Sequence, residues 1–184
     1  MNDRTINFSS SVLENPTKAE IVQTEKNNNS SIFAFEFSNQ TTTGDVFTLA
    51  EAFLSIEEMT NKKLQKLCYY AKAWYLALYD YNLISEHFEA WVHGAVQPAL
   101  YKKYKIYGYA PIPKVEDIHD IPEEFLEFAK EIFDSYGHLT GNELERINHQ
   151  ETPWLNARKG FEPWENCNEV ISEKDMKEFY RKMM

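Results

Sequence analysis

The chain has 184 residues, the length of one domain with at most an appendage. Its residues are 43% hydrophobic and 15% aromatic, which supplies a packed interior and excludes a disordered polymer. Nineteen Lys and Arg against 29 Asp and Glu leave a formal net charge of −10, which on average repels the phosphates of DNA or RNA, and no apolar run approaches the roughly 18 residues of a bilayer span.

The first ten residues, MNDRTINFSS, lack a basic region followed by an apolar stretch, so a cytoplasmic protein is expected. Residues 1–44 are rich in Asn, Ser and Thr and are read as an N-terminal arm, with a boundary in TTTGD ahead of a domain at 45–184. Within the arm, Phe33, Phe35 and Phe37 alternate with Ala34 and Glu36 after an Asn-rich turn, which predicts a β-hairpin. An isolated hairpin is marginal in water, so its phenylalanine face needs a surface to cover it and is a candidate partner contact.

From Asp45 onward, helices dominate. Val46, Leu49, Ala50 and Phe53 recur at helical spacing behind the capping residue Asp45. In TNKKLQKLCYYAKAWYLALYD, Leu64, Leu67, Cys68, Ala71, Trp74, Tyr75 and Leu78 share a face, and Lys62, Lys63, Lys66 and Lys72 are expected to turn away from it. Cys68 and Cys167 form no CxxC pair, and Cys68 is read as a small core residue. EHFEAWV alternates as a short strand, with Gly94 as its expected end. Pro98 then opens a helix that Gly108 stops.

Phe125, Phe128, Ala129, Ile132, Phe133 and Tyr136 line one side of the next helix, with Glu123 and Glu124 at its positive end and Gly137 closing it. Thr140 with Glu143, and Ser172 with Asp175, have the spacing of capping boxes and mark two further helix starts. Between them Thr152 and Pro153 open a short helix. The expected fold is mainly α (α+β), a compact helical domain with a short β element.

The chemistry-bearing residues do not assemble into a familiar catalytic motif. The five histidines show no HExxH or similar ligand spacing, no GxSxG or histidine-flanked cysteine occurs, and the six glycines are scattered singly rather than in a phosphate loop. No metal or cofactor is expected, although His93, His149 and Glu151 leave a histidine- or metal-dependent hydrolase as a weaker alternative. Residues 99–114 carry Lys102, Lys103, Lys105 and Lys114 among Tyr101, Tyr104, Tyr107 and Tyr109 and contain no acid. Alone, such a helix suits single-stranded nucleic acid, but eight acids and one lysine follow in residues 115–134 and can neutralise it. Tyr101, Lys102, Tyr104 and Lys105 are instead read as a second protein-docking surface beside the arm.

Three segments in order, KLQKLCYYA, EAWVHGAVQPALY and NHQETPW, resemble the Panacea domain of the SocA-like antitoxins, a family that includes the GepA-related proteins of phages and plasmids. The resemblance runs from about residue 45 to 182. It implies that Leu64, Gln65, Lys66, Leu67, Tyr69, Tyr70, Ala71, Trp91, Gly94, Val96, Pro98, Tyr101, His149, Glu151, Pro153 and Trp154 are motif positions, most of them scaffold. It implies no catalytic activity and a cognate protein toxin as partner, bound and blocked directly, the toxins including alarmone-synthetase-like enzymes and other translation inhibitors. In one branch the antitoxin also delivers its toxin to the protease ClpXP, which makes an adaptor the alternative function. Two positions depart from the family pattern: Ala95 stands where a proline commonly follows the glycine, and Asn148 where a threonine commonly precedes the histidine. Each is expected to loosen a local turn.

Overall fold

The computed structural model describes residues 44–184; the arm's expected hairpin, with Phe33, Phe35 and Phe37, lies outside the described residues. The fold is mainly α: seven α-helices and two two-stranded antiparallel sheets among the described residues. Helix α1 (Val46–Ile56) begins where the Asp45 carboxylate accepts the Phe47 and Thr48 amides at 3.0 and 2.9 Å, satisfying N–H groups that lack a helical partner. Strand β1 (Met59–Thr60) leads directly into α2 (Asn61–Tyr79), whose Thr60 cap accepts the Lys63 amide. Asp80 ends α2 in the left-handed region, at φ 68°.

Helix α2 is the axis of the molecule. It packs against α1, α4 (Glu123–Tyr136), α5 (Gly141–Asn148) and α7 (Glu173–Arg181), and every residue from Leu64 to Ala77 is buried. The single-faced reading of α2 is therefore corrected: Lys66 and Lys72, expected to turn outward, are 1% and 0% exposed, while Leu78 is only half-buried. A helix surrounded by others has no solvent side, and its lysines are retained because each finds a partner. Lys72 Nζ donates to the Ile84 carbonyl at 2.9 Å and pairs with Glu173 at 2.8 Å.

Gly94 does not end the strand; it starts a second one. Strand β2 (Glu89–Trp91) pairs with β3 (Gly94–Val96) through a two-residue turn at Val92 and His93, and Gly94 supplies the φ of +93°. Helix α3 (Pro98–Tyr104) follows with Pro98 in its first turn and tightens into a 3-10 turn at Lys105–Tyr107 before Gly108. Strand β4 (Pro111–Ile112) returns to pair with β1. Two-residue strands carry too little alternation to be read from sequence, which is why that sheet was not expected.

The remaining helices start as the caps require. Thr140 and Glu143 bond each other's backbone in a full capping box at α5, and the Ser172 hydroxyl accepts the Asp175 amide at α7. The short α6 (Thr152–Ala157) lies between them with Pro153 in its first turn. Both cysteines are free and buried, and burial pushes the Cys68 thiol far above its ordinary pKa, so it sits in the core as a neutral group.

Candidate partner-binding groove

The three motif segments meet around the β2–β3 hairpin, and their polar side chains hold its backbone. Gln65 Oε1 accepts the Gln97 amide at 2.8 Å while Gln65 Nε2 donates to the Gln97 carbonyl at 3.4 Å, so a helix side chain pairs with the end of β3 as another strand would. Gln97 in turn caps α3 by accepting the Leu100 amide at 2.7 Å. At the next position of α2, Lys66 Nζ donates to the Ala95 carbonyl at 2.9 Å. Burial lowers the Lys66 pKa to about 7, against the opposing pull of Glu145 and Glu151.

Asn148 takes the other side of the same residue: its Oδ1 accepts the Ala95 amide at 2.7 Å and its Nδ2 donates to Glu151 Oε2 at 3.0 Å. The two departures from the family pattern are therefore partners. A proline at position 95 has no N–H to give, and the asparagine at 148 accepts the N–H that the alanine restores. Neither position is loosened, which corrects the expectation. Glu151, 5% exposed, also accepts the Tyr180 hydroxyl at 2.9 Å, and burial followed by the charge of Glu151 raises the pKa of Tyr69, Tyr70 and Tyr180. At the hairpin's far end Trp154 Nε1 donates to the Trp91 carbonyl at 3.1 Å, and the buried Arg158 donates to the carbonyls of Ala90, Glu162 and Glu165.

This framework raises a groove of about 680 Å³ between α3, the hairpin and the first turns of α2 and α5. Trp91, Tyr101 and Tyr109 supply aromatic rings to it, with Trp91 edge-on to Tyr101 at 5.2 Å, and Lys62, Lys66, Lys105 and His93 supply nitrogen. Tyr109 is 98% exposed and Tyr101 41%. Tyr104, expected on the same outward surface, is 7% exposed and belongs to the core, because it follows the buried Leu100 by one turn on the flank of α3 that packs inward. Lys102 points to solvent, and Lys103 pairs with Glu51 at 3.2 Å over the Phe47 ring. Neutralisation by residues 115–134 is not seen: among the described residues Lys102, Lys105 and Lys114 make no ion pair.

The residues of the weaker hydrolase reading have separate partners. His93 Nδ1 lies 3.2 Å from Glu145, which also pairs with Lys62 at 2.6 Å; His149 stacks on Trp154 at 4.2 Å, and burial lowers its pKa; Glu151 is held by Asn148 and Tyr180. Gln97, Asn61 and Arg158 were not singled out in sequence. A glutamine directly before a helix-starting proline was the available signal for the first.

Residues 64–155, half of the chain, match the family model described as antitoxin SocA-like, Panacea domain. The chain belongs to the SocA-like Panacea-domain family. The matched span of this Panacea domain begins at the Leu64 of α2 and ends in α6, so it contains Gln65, Lys66, Asn148 and Trp154 of the hairpin's frame, while Arg158 lies just beyond it. No curated protein and no solved structure matches the chain. Among the described residues no helix of the Panacea domain is long and apolar enough to cross a membrane, and no three His, Cys, Asp or Glu side chains gather as a metal site.

Proposed function

We propose that this protein is the antitoxin of a two-component pair and neutralises a cognate protein toxin by binding it directly in a stoichiometric complex. The observation that carries this reading is the groove beside α3. Its neighbours Gln65, Lys66, Asn148 and Trp154 are committed to holding backbone, while Trp91, Tyr101 and Tyr109 present rings to the open side. Aromatic rings on a rigid frame bury large area at low entropic cost, which is how a protein surface gains affinity. Tyr101, Lys102 and Lys105 are the contacts assigned to α3 and the turn after it. Phe33, Phe35 and Phe37 of the arm, residues 1–44, are assigned as a second contact that differs among relatives and selects the partner, on the domain at 45–184.

Co-expression with the product of the adjacent reading frame tests the proposal. Restored growth together with a complex that co-purifies is the expected result. Restored growth with loss of the toxin band moves the function to proteolytic delivery, for which dependence on an unfoldase such as ClpXP is the check. Toxicity unrelieved by this chain sinks the antitoxin reading.

A further inference from the structure

The molecule carries a net charge of −10, yet no aspartate or glutamate lines the groove. Two helices begin at its floor, α2 at Asn61 and α5 at Gly141, and their first turns touch. A Cβ on Gly141 would stand 3.0 Å from the Lys63 amide nitrogen and 3.1 Å from Lys62 Cγ. The cap hydroxyls of Thr60 and Thr140 take the amides of Lys63 and Glu143, so the amides ahead of them have no helical acceptor. Each helix places roughly half a positive charge at its N-terminus, and two such ends side by side repel unless negative charge lies over them. Glu143 caps one end from within its box, and Glu145 ties up Lys62 and His93 from outside the lining. Lys105, which also lines the groove, makes no ion pair among the described residues.

Asn61 is an independent pointer to a ligand. It is 5% exposed, it lines the groove, and its Oδ1 has no hydrogen-bond partner among the described residues. An unsatisfied buried carboxamide oxygen is costly and rare in a folded protein. A carboxamide offers one acceptor and a donor side by side, the complement of a peptide group, and so favours a polypeptide occupant over an inorganic ion.

From these features we infer that the groove receives an extended acidic segment of the toxin. A carboxylate of that segment lies over the paired N-termini of α2 and α5 near Lys105, a peptide group bonds Asn61, and an apolar side chain rests on Trp91, Tyr101 and Tyr109. The inference rests on the antitoxin reading and adds the chemistry of the partner's contact. It also reverses what net charge alone implies: an acidic protein suits a basic toxin overall, whereas this site selects an acidic stretch within it.

The test measures affinity of the purified full-length chain for the product of the adjacent gene, at low and high salt. The variants are Lys105→Glu, Asn61→Ala and Tyr109→Ala, with Lys159→Glu as an exposed charge control outside the groove. Thermal melts confirm that each folds. Lys105→Glu is expected to weaken the complex by about tenfold at low salt and less at high salt, as for a charge at an interface rim. Asn61→Ala is expected to weaken it by about fivefold at both salts, the loss of a neutral hydrogen bond. Overlapping 15-residue peptides tiled across the toxin should then yield an acidic one that competes for the wild type and not for Lys105→Glu. Equal losses in Lys105→Glu and Lys159→Glu, or full affinity in all groove variants, overturn the groove inference and leave the antitoxin reading standing. Competition by ATP or inorganic phosphate with none from any peptide also overturns it, in favour of a small anion. A wild-type chain that binds no toxin ends both.

Discussion

At the scale of single residues, Gly94 and Lys66 form one device. Lys66 Nζ lies where a side chain at position 94 would be, 2.6 Å from a notional Cβ, and Asn148 Oδ1 is 2.8 Å from it. With φ at +93° as well, Gly94→Ala is expected to cost about 2–4 kcal/mol in a urea titration, from backbone strain and displacement of two buried polar groups. The lysine has a pH signature. Its amine titrates near 10.5 ordinarily and near 7 in the fold, so between these values the unfolded chain holds a proton that the folded chain lacks. Raising the pH through that window therefore favours folding: the cost of burying the ammonium is full below about 7 and fades towards 10.5. Urea midpoints from pH 7 to about 9 should rise in the wild type, and that rise should be absent from Lys66→Met; parallel curves would show that Lys66 is not the group responsible.

At the scale of elements, the hairpin and the α5–α6 connection are joined by the Ala95–Asn148 bond. Ala95→Pro removes the donor and strands a buried Asn148 Oδ1, so it should destabilise by about 1–3 kcal/mol. Adding Asn148→Thr, which restores the usual family pair, should be less damaging than the sum of the two single changes by about 1 kcal/mol or more in a double-mutant cycle. Additive effects would mean that the two positions act independently. Helix starts were legible because caps are local chemistry: Asp45, Thr140 and Ser172 bond amides two or three residues ahead. The β1–β4 sheet was not, since Met59–Thr60 gains strand geometry only from a partner distant in sequence, and β3 was missed because Gly94 at its start reads as a strand end although its partner β2 is adjacent. The outward face of α3 was half legible: Tyr104 lies within a turn of both Leu100 and Tyr101, and only the packed structure says that it sides with the buried Leu100.

At the scale of the whole molecule, the described residues contain a continuous core from Val46 to Tyr180. Deletion of residues 1–40 is accordingly expected to retain a cooperative thermal transition and a helical circular dichroism spectrum while losing growth rescue. Rescue at wild-type strength would remove Phe33, Phe35 and Phe37 from the partner contact. Composition and local spacing determined a helical, acidic domain, and the order of its motifs identified the family, because helix periodicity and caps are written in neighbouring residues. The tertiary structure decided that the motif lysine is buried, that Ala95 and Asn148 compensate, and that a locally acid-free groove opens on an acidic protein. Those outcomes depend on which distant backbone groups and charges are brought within hydrogen-bonding reach, and chain order does not encode that distance directly.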